Sequence, residues 1–129
     1  MRSPSSIKLM LYKVQALNSQ VGLMEYRVVF DCPDRKAVID KLLNAAAEAG
    51  AGTFGNYSRA ALVIRGYGTW KSEKGAHPNI GRVGRISRVP SARIEMSCPR
   101  GRLRAVCRAI RKAHPYEEPV IYCVEVRYG

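Results

Sequence analysis

Acidic residues are scarce in this 129-residue chain: 10 Asp and Glu stand against 22 Lys and Arg, for a formal net charge of +12. None of the acids precedes Glu25. Such a deficit says nothing about fold, but it points to phosphates, nucleic acid or acidic surfaces as partners. Histidine is scarcer still, with His77 and His114 alone. A hydrolytic zinc site needs three protein ligands, so within one chain Glu95, Glu117 or Glu118 would have to join them, and a metal-dependent hydrolase stays open only on those terms. Cysteines 32, 98, 107 and 123 contain no C-x-x-C pair. That spacing argues against a zinc knuckle or a small disulfide scaffold and reads as reduced, mostly buried thiols. No run of eighteen apolar residues occurs, which excludes a membrane-spanning helix, and no membrane partner is expected.

What is present is the composition of an ordinary globular domain, 47% hydrophobic and 25% charged. The length allows one domain. Residues 1–24 stand apart, with Arg2, Lys8, Lys13 and several Ser. That pattern is shared by an organelle presequence, a disordered leader and a start assigned too early, and a single domain is expected over 25–129. The expected location is cytoplasmic, or mitochondrial or another organelle if the first 24 residues are a presequence.

Tyr26 to Cys32 is rich in strand formers and ends at Pro33. Asp34 is a candidate N-cap for a helix over Arg35–Ala49, in which Val38, Leu42, Leu43 and Ala46 form an apolar stripe. Gly50 and Gly52 supply its stop. Ala60–Ile64 has strand character, residues 71–84 form a turn-rich excursion, and Ile94, Met96 and Cys98 alternate with Arg93, Glu95 and Ser97 in a third strand. A second helix runs from Arg100 to Ala113, with Leu103, Val106, Cys107 and Ile110 buried and Arg100, Arg104, Arg108 and Arg111 on another face. His114-Pro115 ends it, and Val120–Arg127 is the last strand. The order βαββαβ predicts an α+β, ferredoxin-like plait: a four-stranded antiparallel sheet with two helices on one face. The sheet's other face would need cover, and self-association supplies it.

Little in the chain reads as catalytic. Gly75–Gly81 lacks the Gly-Lys-Ser/Thr ending of a phosphate loop. Adjacent Glu117 and Glu118 point in different directions and make a poor dyad. His77, His114 and Glu118 are candidate ligands for a divalent metal, with subunits meeting if the three are to converge; the plainer reading makes His114-Pro-Tyr-Glu-Glu-Pro119 a structural turn. Between 82 and 112, ten Lys and Arg residues face Glu95 alone. Helical spacing gathers Arg104, Arg108 and Arg111, which could track a phosphate backbone, although no interleaved aromatic is there to stack on bases.

Four segments, Gly50–Tyr57, Gly66–Trp70, Gly75–Gly81 and Ala113–Pro119, occur in that order. Together they resemble the small inserted domain of the Ngg-one-interacting-factor-three family, in its stand-alone form, and the His-Pro-Tyr-Glu turn is similar to one in CutA, the divalent-cation tolerance protein. The resemblance implies a CutA/PII-like plait commonly assembled as a trimer, with no cyclohydrolase residues, because the family's metal ligands lie in its larger flanking domain. The chain departs from the family at Lys71–Lys74 and Ser91–Ala92. The expectation is therefore a non-catalytic, oligomeric regulatory or binding module, with a divalent metal or small anion as its ligand. Tyr57, Trp70, His77, Pro78, Asn79, His114, Tyr116 and Glu117 are its expected interface or ligand-loop residues. The alternative is a basic nucleic-acid or ribonucleoprotein accessory using Arg104, Arg108 and Arg111.

Overall fold

Side chains of the first strand, β1 (Met24–Pro33), alternate between faces: Val28, Phe30 and Cys32 are fully buried on one, while Arg27, Val29 and Asp31 lie on the other, where Val29 is buried as well. The structure, a computed structural model, describes residues 24–129. The leader expected over 1–24 lies outside the described residues, save that Met24 already pairs with Arg127.

Helix α1 (Lys36–Ala49) follows. Its N-cap is Arg35, not Asp34, and no side chain caps it. The Asp34 carboxylate is taken by Arg65, whose Nε donates to both oxygens at 3.0 and 3.1 Å. A carboxylate turned toward a partner 31 residues away is not free for the helix N–H groups, so the helix starts one residue later. Ile39, Leu42 and Ala46 are its buried stripe, with Val38 and Leu43 at its margins. At the other end Gly50 adopts φ +124° and donates to Ala47, as a C-cap should. The Arg102 guanidinium lies across it, with Nε 2.8 Å from the Ala49 carbonyl, and a Cβ at Gly50 would come within 3.0 Å of that side chain.

Strands β2 (Leu62–Lys71) and β3 (Ile86–Cys98) form an antiparallel hairpin longer than the sequence suggests. After a single 3-10 turn at Arg100–Arg102, α2 (Leu103–Ala113) packs on α1, and β4 (Ile121–Arg127) closes the sheet. Arg100, placed by periodicity with the helix arginines, instead sits in that turn and reaches Glu125 at 3.9 Å.

The sheet order is β2-β3-β1-β4, antiparallel throughout. Val28, Phe30, Cys32, Ile94, Met96 and Cys98 meet Ile39, Leu42, Val106 and Ile110, so both helices cover one face. This is the ferredoxin-like plait expected from βαββαβ. The opposite face carries an ionic centre, Arg93–Asp31 at 3.3 Å and Arg27–Glu95 at 3.9 Å, flanked by exposed Leu62 and Ile64 on β2 and Tyr122 and Val124 on β4.

Two strands leave this sheet. The β1–β3 ladder ends at Pro33–Ser91, but β2 and β3 continue for five more pairs, from Tyr67–Pro90 to Lys71–Ile86. Pro90 is tolerated because no β1 residue pairs beyond Ser91. The projecting arm exposes Tyr67 and Ile86, the latter by 78%.

Candidate functional site

An open groove of about 940 Å³ lies between the arm, the 72–85 loop at its tip and the 114–120 turn. Segments Gly66–Trp70, Gly75–Gly81 and Ala113–Pro119 converge there. Trp70 and Tyr116 form an aromatic wall, ring centroids 5.6 Å apart at 60°. The Arg88 guanidinium lies 3.7 Å over the Tyr67 ring, a cation–π contact across the arm.

The turn is held by His114, which is buried beneath the groove. Its Nε2 is 2.6 Å from the Asp31 carbonyl oxygen on β1, and the Tyr116 backbone N–H donates to its Nδ1 at 3.0 Å. A carbonyl only accepts and an amide N–H only donates, so the ring is the neutral tautomer with its proton on Nε2. Burial pulls the His114 pKa below its ordinary 6.5, and the hydrogen bond to Asp31 opposes that only in part. The ring also packs on Tyr116, with centroids 5.0 Å apart, and burial raises the Tyr116 phenol.

A second tie crosses the groove mouth. Glu117 accepts the His77 backbone N–H at 2.8 Å, and its other oxygen lies 3.4 Å from His77 Nδ1. Loop and turn are thereby joined across 40 residues of sequence. On the groove's floor Arg93 and Asp31 pair at 3.3 Å, and Arg65 binds Asp34 at the base of the arm.

Of the residues proposed from sequence, Trp70, His77, Pro78, Asn79, Tyr116, Glu117 and Glu118 line this groove. Tyr57 does not. It exchanges backbone hydrogen bonds with Phe54 beside the Gly52–Ser97 contact, at the opposite end of β3, and is 77% exposed. The candidate metal ligands are not gathered within the chain either: among the described residues no three His, Cys, Asp or Glu side chains cluster to hold a metal. His114 fits such a role poorly, because both ring nitrogens are already engaged. Asp31, Arg65 and Arg93 were missed as groove residues; their signal was the alternation of β1 and β3, which places Asp31 and Arg93 on the sheet's open face. Arg104, Arg108 and Arg111 sit together on the solvent face of α2, remote from the groove.

The thiols are quiet. All four cysteines are free, and burial pushes Cys32 and Cys98 up to about 11 and Cys107 upward as well. No described helix is long and apolar enough to cross a membrane.

Fold and groove together define a CutA/PII-like plait. Solved structures agree: CutA from Xylella fastidiosa superposes with a TM-score of 0.59 at 16% identity, covering 81% of this chain and 86% of that one. A Bacillus cereus protein related to NIF3 gives a TM-score of 0.67 at 31% identity, over 80% of this chain and 26% of that one. Among curated proteins, the GTP cyclohydrolase 1 type 2 homolog of Halalkalibacterium halodurans is 41% identical over 80 residues, covering 62% of this chain and 22% of that protein. The homolog from Mycobacterium tuberculosis is 44% identical over 75 residues, 58% of this chain and 20% of that protein. No family model matches the chain. By sequence and by fold the chain therefore resembles a domain-sized part of the NIF3, or Ngg-one-interacting-factor-three, family. It spans about a fifth of the length of the curated relatives it matches.

Proposed function

We propose that the chain is a non-catalytic, oligomeric regulatory or binding module, assembled as a trimer through its arm and open sheet face. The observation that carries this reading is the arm. A two-stranded ribbon extending five residue pairs past the sheet, with Tyr67 and Ile86 exposed, is marginally stable alone and presents unprotected edges. A second copy laid against it covers those edges, and Leu62, Ile64, Tyr122 and Val124 offer a further apolar surface on the sheet's open face. The groove beside the arm is then the cleft in which a small ligand meets the assembly.

The non-catalytic part of the reading is supported by the chemistry of the side chains. His114 has both nitrogens engaged, the thiols are shifted away from nucleophilic pKa values, and Glu117 is committed to His77. The cyclohydrolase name is carried by proteins of which this chain spans only about a fifth.

Sedimentation equilibrium tests the assembly. The expected mass is about 43 kDa, three chains of 14.3 kDa, and Ile86→Asp should return a folded monomer by burying a charge in the contact. A wild-type protein that stays monomeric at micromolar concentration would refute the trimer.

A further inference from the structure

We propose that the solvent face of α2 is a docking surface for the phosphate backbone of duplex nucleic acid. Arg104, Arg108 and Arg111 recur there at i, i+4 and i+7, all exposed. At the helical rise they climb the axis by about 6 and 10.5 Å, a stripe on a single face. Lys112 adds a fourth cation beside Arg108 and Arg111.

Arg27, Arg59, Arg65, Arg93 and Arg100 each have a carboxylate partner, whereas Arg104, Arg108, Arg111 and Lys112 have none among the described residues. Arg35, Arg82 and Arg85 lack one too but lie in loops, and Arg88 and Arg102 engage a ring and a carbonyl, so the α2 cations differ in sharing one helix face. The helix contains no acid at all, and no acid occupies its first turn. Arg104 and Arg108, and then Arg108 and Lys112, are like charges at i,i+4, which destabilises a helix rather than supporting it. Arg104, in the first turn, opposes the macrodipole, while Arg111 and Lys112, in the last turn, favour it. A polyanion relieves the repulsion among the four cations and releases its counterions on contact.

The chemistry narrows the partner. No aromatic residue lies on α2, so bases have nothing to stack upon, and contact is to backbone phosphates without sequence preference. An anionic membrane is disfavoured because the helix's apolar side, Val106 and Ile110, is fully buried in the core and has nothing to insert. Both helices lie on the sheet face opposite Leu62 and Tyr122, so a copy that covers the open sheet face leaves this surface free.

The test is fluorescence anisotropy of the full chain with a labelled duplex of arbitrary sequence, titrated from about 0.05 to 0.3 M salt. Arg104→Gln/Arg108→Gln should lower the slope of log K against log salt by about 1.8 and weaken binding by about 30-fold at 0.15 M, as expected for two lost phosphate contacts. Arg82→Gln/Arg85→Gln removes the same charge from the loop and should change affinity by less than about threefold. Arg104→Lys/Arg108→Lys should keep most of the binding, and circular dichroism should show every variant folded. Equal losses in the two Gln variants, no loss in either, or polyglutamate competing as well as unlabelled duplex would each overturn the proposal.

Discussion

Replacing His114 by Ala removes a side chain that ties the 114–120 turn to β1. The Asp31 carbonyl would be left buried without its donor, at a cost of about 1–3 kcal/mol, and the Tyr116 N–H would lose its acceptor at about 1 kcal/mol more. Loss of the ring that packs on Tyr116 adds to this, so a destabilisation of about 3 kcal/mol is expected. For a domain of this size each kcal/mol moves Tm by about 4–8 °C, so the midpoint should fall by about 15 °C. Thermal melts by circular dichroism at pH 8 and one fixed protein concentration provide the assay, since association would otherwise shift the midpoint. The pH dependence supplies a second, independent readout. The folded-state pKa of His114 lies below 6.5, so the unfolded chain binds the proton more readily. The stabilisation is fully present above pH 6.5 and is lost as pH falls through 6.5 toward the folded value. Wild type should therefore lose stability from pH 7.5 to 5.5 more steeply than His114→Ala. A penalty under about 1 kcal/mol, or a wild type that gains stability relative to the variant on acidification, would refute the assignment of a buried neutral imidazole.

Gly52→Ala should destabilise by about 2–3 kcal/mol in urea unfolding, because φ is +79° and the new Cβ would lie 2.8 Å from the Ala60 carbonyl, a backbone atom that cannot rotate away. Gly75→Ala, with φ +99° but nothing within 4 Å, should cost only about 1 kcal/mol, which separates strain from collision. Cys32 and Cys98, with pKa values near 11, carry about one thiolate in a thousand at pH 8; their alkylation by iodoacetamide should be slow in the native protein and fast in denaturant, as followed by mass spectrometry. Glu117→Ala should leave stability within about 1 kcal/mol, since the pair is largely exposed, yet speed limited proteolysis at Lys74 by freeing the loop from the turn.

Much of the fold was legible because the informative patterns are local. Ile94, Met96 and Cys98 alternate, and Val106 and Ile110 recur at helical spacing, and both sets are core. The arm was not legible. Its strands contain Gly66, Gly68 and Pro90, residues that usually mark turns, and they hold strand geometry because each pairs with the other across the hairpin. The same reason displaced Asp34 from its expected cap: Arg65 reaches it from the foot of the arm. Tyr57 belongs to the same family of motifs as Trp70 and Tyr116, but motif order along a chain does not say which end of a strand a segment reaches, and it sits at the other end of β3 from the groove.

The order of elements and the cationic stripe of α2 were determined by the sequence alone, since each depends on local spacings. The apolar faces were too, except that packing buries Ile39 in place of Val38 and Leu43 and leaves Leu103 and Cys107 half-buried. The groove and the protonation of His114 were decided only in three dimensions. His77 meets Glu117 across 40 positions and His114 meets Asp31 across 83, and no periodicity carries information over such separations. A histidine that spacing alone offered as a metal ligand becomes a structural donor because β1 places a carbonyl oxygen 2.6 Å from its ring.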